Sequence, residues 1–226
     1  LPDRLARIDA FLDERYVKAG RLPHSQILVA REGKVAHFAS NGPARAGADS
    51  PVDGESLFRI ASMTKPITSV AFMMLVEEGK VALDDPVETV LPEFRGIGVY
   101  QSGGGGAPFV TRPADQPMQM VDLLRHTSGL TYGFQYRSNV DAYIRKAKLE
   151  NWRTDYDDDG FIAALAKAPL EFSPGTAWNY SLATDVLGVI VARLSGRPFT
   201  DVLHDRIFAP LGMIDTGFVV PEDKVH

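Results

Sequence analysis

Ser62 and Lys65 stand three residues apart, in Ser62-Met63-Thr64-Lys65, and no other Ser-x-x-Lys spacing occurs in the 226-residue chain. A serine hydroxyl is a weak nucleophile until a base takes its proton. On a helix a residue three places on lies on the same face, so the Lys65 amine can reach that proton. Nucleophilic attack on a carbonyl is the chemistry such a pair can perform. A helix-capping serine followed by a solvated lysine would leave the same pattern, because capping is what serines commonly do at helix starts.

The flanking residues place the pair. Leu57-Phe-Arg-Ile60 reads as a short strand entering the motif. Ile67, Val70, Ala71, Met74 and Leu75 follow a helical apolar period. Phe72, Met73 and Val76 add apolar side chains on other faces, so the helix reads as buried nearly all round. Pro66 falls in the first turn, where its missing N–H costs no helical bond, and Gly79 suits a C-terminal cap. A helix N-terminus favours negative charge and thus a developing oxyanion. Burial would lower the pKa of Lys65 and free it to act as a base.

Elsewhere, residues 3–19 carry Leu5, Ile8, Phe11, Leu12 and Tyr16 at helical spacing. Gln26–Arg31 and Lys34–Ser40 read as a hairpin turning at Glu32-Gly33, with Ile27–Ala30 an apolar run of the kind covered on both faces. The Gly- and Pro-rich stretch 101–117 reads as a loop, an exposed insertion or the flank of a substrate entrance. Short helices are expected over roughly 120–126, 139–147, 158–167, 182–194 and 199–209, and a strand from 217 to 221. This order fits an α/β layer with an inserted helical region.

The composition is that of an ordinary globular protein, 45% hydrophobic and 23% charged. A net charge of −5 gives no basic footprint for nucleic acid, and no apolar run reaches the length of a membrane span. The absence of Cys removes disulfides, a thiol nucleophile and thiolate-bound zinc. Asp155-Tyr-Asp-Asp-Asp-Gly160 matches the first half of a calcium loop, but its twelfth position is Ala166, which favours an acidic helix cap. The five His show no metal-ligand spacing. His126 lies in a His-Thr-Ser-Gly loop that reads as structural, since no Gly-x-Ser-x-Gly elbow accompanies it.

Three motifs in order, Ser62-Met-Thr-Lys65, His126-Thr-Ser-Gly-Leu130 and Trp178-Asn-Tyr-Ser181, resemble the serine β-lactamase-like superfamily of class C β-lactamases, DD-peptidases and, above all, family VIII carboxylesterases. The resemblance implies an α/β fold of the β-lactamase and penicillin-binding-protein type, an antiparallel sheet flanked by helices. It implies an α/β domain from residues 1–80 and 210–226 and a helical domain from 81–209. It also implies that Ser62 is the acylated nucleophile, with Lys65 and Tyr180 its proton-transfer pair, and which of the two acts first stays open. Tyr132 matches a substrate-binding aromatic, and Trp178 is expected to pin the helix start as a core residue. A small-molecule ester is the implied substrate, with no cofactor; a cytoplasmic location is expected separately. A β-lactamase, a D-alanyl-D-alanine carboxypeptidase or a non-catalytic penicillin-binding-like module are the rivals.

Two departures from the family pattern bear on this. Leu182 stands where many relatives have an asparagine that binds a substrate amide, so esters are favoured over β-lactams. No Lys-Thr-Gly, His-x-Gly or Trp-x-Gly follows residue 180. The missing motif and the small number of strands lead to the expectation that the remaining strands come from a C-terminal segment of the same protein or from a complementary chain.

Overall fold

A computed structural model describes residues 2–45, 47, 49–150 and 156–224. The chain separates into two compact units, residues 1–59 and 60–226. This cut differs from the expected division at residues 80 and 210. It groups the Ser62 helix with the helical region, because that helix packs against helices much later in the chain.

In the first unit, α1 (Pro2–Leu12) runs on through a π-helical turn, Asp13–Val17, and is followed by a hairpin of β1 (Ser25–Arg31) and β2 (Lys34–Asn41). The hairpin turns where it was read, with Glu32 and Gly33 both at positive φ, the arrangement whose twist suits antiparallel strands. Asn41 donates to the Asp9 carboxylate at 2.6 Å, tying β2 to α1. The β1 run is not covered on both faces: Leu28 and its cross-strand partner Phe38 are exposed. Residues 57–60 do not form a strand.

The second unit is built on two apolar helices, α2 (Thr64–Glu77) and α6 (Ala183–Ser195), which pack together and against α7 (Phe199–Leu203). Phe72 and Leu75 of α2 and Leu187 and Ile190 of α6 are fully buried. The Phe199 ring lies over Gly188 of α6, 3.6 Å from where a Cβ would stand, an ordinary packing distance. α2 is not buried all round, since Val70 is 52% exposed and Met73 is exposed too. Gly79 ends this helix region at φ +69, as expected of a cap.

The 101–117 stretch contains a β-hairpin, β3 (Val99–Gly104) and β4 (Ala107–Arg112), rather than only a loop. Phe109 packs edge-on between Tyr100 and Tyr143, and Tyr100 N–H donates to Leu170 O, so the hairpin is anchored to the unit. Its glycines are used: a Cβ on Gly103 would stand 2.1 Å from the Pro108 carbonyl oxygen. α3 (Met120–Arg125), α4 (Asn139–Lys146) and α5 (Asp158–Leu165) fall close to the expected positions. Asp157 caps α5 by accepting from Gly160 N–H at 2.8 Å, as the acidic loop suggested, while Asp155 lies outside the described residues. The helix expected over 199–209 is α7 continued by a π-helical turn, His204–Phe208. Residues 217–221 do not form a strand; 217–219 are bends.

The His126–Thr131 loop is the frame for the residues that follow α5. Its carbonyls accept from Glu171 N–H (to Gly129), Gly175 N–H (to Thr127) and Asn179 N–H (to His126) at 2.7–2.9 Å. Gly129 has φ +83, and a Cβ there would lie 2.3 Å from the Phe172 carbonyl oxygen. Gly129→Ala should therefore destabilise the fold by more than about 1 kcal/mol, which a lowered urea midpoint will register.

Candidate active site

Ser62 sits in a single 3-10 turn, Ala61–Met63, that leads directly into α2. Ala61 reaches φ +44, a left-handed conformation that costs a non-glycine residue about 1–2 kcal/mol. That turn leads the chain into the helix. The first N–H groups of such a turn have no helical acceptor, so the Ser62 N–H is available to an oxyanion. Lys65, one turn on, is half-buried, and its Nζ donates to Ser62 Oγ at 3.3 Å.

Tyr180 comes from 118 residues further along the chain. It lies in an irregular segment before α6, and its hydroxyl is 2.8 Å from Ser62 Oγ. Burial pushes the Tyr180 phenol up, but hydrogen bonds with Lys65 and Ser62 and the Lys65 charge prevail and hold it below the ordinary tyrosine value. The Lys65 ammonium also lies 4.8 Å from the Tyr180 ring centre and 5.5 Å from that of Tyr132. A nucleophile, an ammonium and a phenol poised toward its ionised form thus converge, the requirements of acyl transfer by general-base help.

Tyr132 is buried and stacks on Phe134 at 4.8 Å, and its hydroxyl donates to the Asp185 carboxylate at 3.2 Å. Burial and then the Asp185 charge push its phenol up, so it stays protonated and donates. Desolvation raises the Asp185 carboxyl, partly offset by the nearby Lys65 charge. Asp185 is exposed and lines an open cavity. The cavity, about 550 Å³, is walled by Ser62, Lys65, Tyr132, Leu182 and Asp185 among others. A second cavity, about 580 Å³, opens beside Ile97, Thr111, Gln116 and Leu170 and contains none of the three convergent residues.

Leu182 is 1% exposed, so it presents an apolar wall and belongs to the core. Trp178 does not pin the helix start from inside, since it is 66% exposed. Asp185, Phe134, Gln135 and Asn179 were missed from sequence. Asp185 looks there like an ordinary acidic residue in the first turn of a helix. Gln135 Nε2 donates to Tyr180 O at 2.5 Å, and Asn179 accepts from Arg137 at 2.6 Å while donating to Leu130 O at 3.0 Å. Only long-range contacts reveal these roles. Among the described residues no group of three or more His, Cys, Asp or Glu is placed to hold a metal ion, and no helix is long and apolar enough to cross a membrane.

The esterase EstB of Burkholderia gladioli is 39% identical over 220 residues, covering 97% of this chain and 53% of its own length. The D-alanyl-D-alanine-carboxypeptidase/endopeptidase AmpH of Escherichia coli K12 is 28% identical, covering 96% of this chain and 50% of its own. Among solved structures, EstCE1, described as a hydrolase with promiscuous acyltransferase activity, superposes with a TM-score of 0.83 at 28% identity, over 98% of this chain and 55% of that one. Simvastatin synthase (LovD) from Aspergillus terreus gives 0.72 at 25% identity, over 94% and 52%. The chain therefore spans about half the length of the relatives it matches. The antiparallel strands and helices have the β-lactamase and penicillin-binding-protein type of fold. With a Beta-lactamase family model matching residues 9–226, the chain belongs to the beta-lactamase family.

Proposed function

We propose that the protein is a serine hydrolase that cleaves small carboxylic esters through an acyl-enzyme, a carboxylesterase of the family VIII type. The observation that carries this reading is the placement of Ser62 Oγ 2.8 Å from the Tyr180 hydroxyl and 3.3 Å from Lys65 Nζ. The ionised Tyr180 phenol, held in that form by the Lys65 ammonium, takes the Ser62 proton as Oγ attacks the ester carbonyl. The Ser62 N–H stabilises the tetrahedral oxyanion. Tyr180 returns the proton to the leaving alcohol, and water, deprotonated in turn, releases the acid and restores Ser62. The lowered phenol of Tyr180 suits it to both proton transfers.

Esters are preferred to amides in this reading because Leu182 offers an apolar wall where an amide would need a partner. The similarity to EstB supports the same choice. The similarity to AmpH supports D-alanyl peptide cleavage, and the Beta-lactamase family match β-lactam cleavage, as the second reading.

A fluorophosphonate probe should label Ser62 in the intact protein, and p-nitrophenyl butyrate should be hydrolysed faster than nitrocefin. Labelling of Ser128 or Ser181, both fully buried here, would contradict the assignment of the nucleophile. Nitrocefin turnover equal to ester turnover would favour the β-lactamase reading.

Lys65→Ala and Tyr180→Phe should each lower kcat by roughly 10²–10⁴, and the double variant should lose little more, because linked groups fail together. Near-normal kcat for Tyr180→Phe would make the tyrosine structural.

A base works only when unprotonated, so the rate should fall as pH drops through the pKa of the Tyr180 phenol. The Lys65 ammonium favours the phenolate and lowers that limb. Lys65→Met should move the limb of the residual rate to higher pH, toward the ordinary phenol value of about 10. The pH–rate profiles of the two proteins provide the check.

A further inference from the structure

Tyr180 has no secondary structure to aim it. Residues 177–181 lie in neither helix nor strand, so the direction of the phenol depends on what surrounds the segment. One residue outside the catalytic group touches that segment in three ways. The His126 carbonyl accepts from Asn179 N–H at 2.9 Å, on the residue before Tyr180. His126 Nδ1 is hydrogen-bonded to Ser181 Oγ at 3.2 Å, on the residue after it. The imidazole itself lies 4.9 Å from the Tyr180 ring, tilted by 51°.

His126 is held firmly enough to serve as a reference point. It caps the C-terminus of α3 in a left-handed conformation, φ +57, with its N–H directed back to the carbonyls of that helix. Ser181 is fully buried, and its Oγ also accepts from Ala183 N–H at 3.3 Å, in the first turn of α6. The imidazole therefore links the end of α3 to the start of α6 across the residue whose hydroxyl must meet Ser62. Burial and then the Lys65 charge lower its pKa, which keeps the ring neutral beside the ammonium.

We propose that His126 is a positioning residue for acyl transfer, a clamp that fixes the Tyr180 phenol against Ser62 Oγ through its bond to Ser181 and its ring contact. The inference rests on the acyl-transfer reading above. His126 itself lies outside the reacting atoms and acts through Tyr180. The imidazole thus has a task beyond that of a structural loop residue.

The test measures p-nitrophenyl butyrate hydrolysis by the intact protein carrying His126→Ala, His126→Asn or Ser181→Ala, each also combined with Tyr180→Phe. Asparagine tolerates the left-handed conformation, and its amide reaches about as far as Nδ1. His126→Ala should lower kcat roughly 10- to 100-fold, the scale expected when a catalytic group is misplaced by about an ångström, with KM within about twofold of the parent. His126→Asn should recover much of the loss. In the Tyr180→Phe background His126→Ala should have no further effect, since there is no hydroxyl left to position. A His126→Ala protein with parental kcat would overturn the proposal, and so would an equal fold-loss in the presence and absence of the Tyr180 hydroxyl. If His126→Ala does not fold, Ser181→Ala carries the same readout: a lowered kcat that vanishes in Tyr180→Phe is expected, and an unchanged kcat overturns the clamp. Failure of the acyl-transfer reading looks different, because Ser62→Ala and Tyr180→Phe would then leave turnover intact.

Discussion

The bond between Ser62 Oγ and Tyr180 Oη joins residues 118 apart in the chain, and the second unit is arranged so that the starts of α2 and α6 lie side by side. The bond cannot hold the helices there by itself. A typical hydrogen bond contributes about 1 kcal/mol net, and an exposed one such as this less. Each fully buried Phe, Leu or Ile contributes about 1.5–3 kcal/mol, and Phe72, Leu75, Leu187 and Ile190 are all fully buried. Packing of two apolar helices therefore sets the distance, and the polar contacts read it out.

One ammonium organises the charge around that contact. Lys65 donates to Ser62, lowers the Tyr180 phenol, opposes the desolvation of Asp185 and disfavours protonation of His126. Its position between the Tyr180 and Tyr132 rings gives it a favourable surface on the aromatic faces. Tyr132, whose phenol is pushed the opposite way from that of Tyr180, keeps its proton and donates to Asp185. Two tyrosines whose ring centres are 5.2 Å apart are thereby given different protonation tendencies by their neighbours.

The His126–Thr131 loop supplies the backbone frame that an irregular segment needs. Its carbonyls pair with N–H groups at 171, 175 and 179, as a strand edge would, but with a glycine where the Phe172 carbonyl comes too close for a Cβ. This leaves Tyr180 free of helical constraint and able to project its hydroxyl at the helix start opposite. The arrangement explains why a loop motif, a serine motif and a tyrosine motif occur together in one chain without being close in sequence.

Local pattern was enough for the elements whose cause is local. The 3.6-residue apolar period of α2, the Glu32-Gly33 turn, the Asp157 cap and the Gly79 terminus each depend on neighbours within a few residues, and all lie close to where they were read. Ser62, Lys65 and Tyr180 could be singled out because reactive residue types stood at family-like spacing. The misreadings had non-local causes. Residues 57–60 and 217–221 have strand-like composition but form no strand, and 101–117 reads as a loop although Tyr143 and Leu170 anchor Phe109 and Tyr100 of its hairpin. Trp178 has a core-type side chain but an exposed position. Sequence by itself determined which groups could do chemistry and where the main helices run. Only the tertiary structure decided that Ser62 meets Tyr180, that Asp185 pairs with Tyr132 and that His126 flanks the phenol, because those distances come from the packing of α2 on α6 and the loop pairing across the unit, which no local spacing encodes.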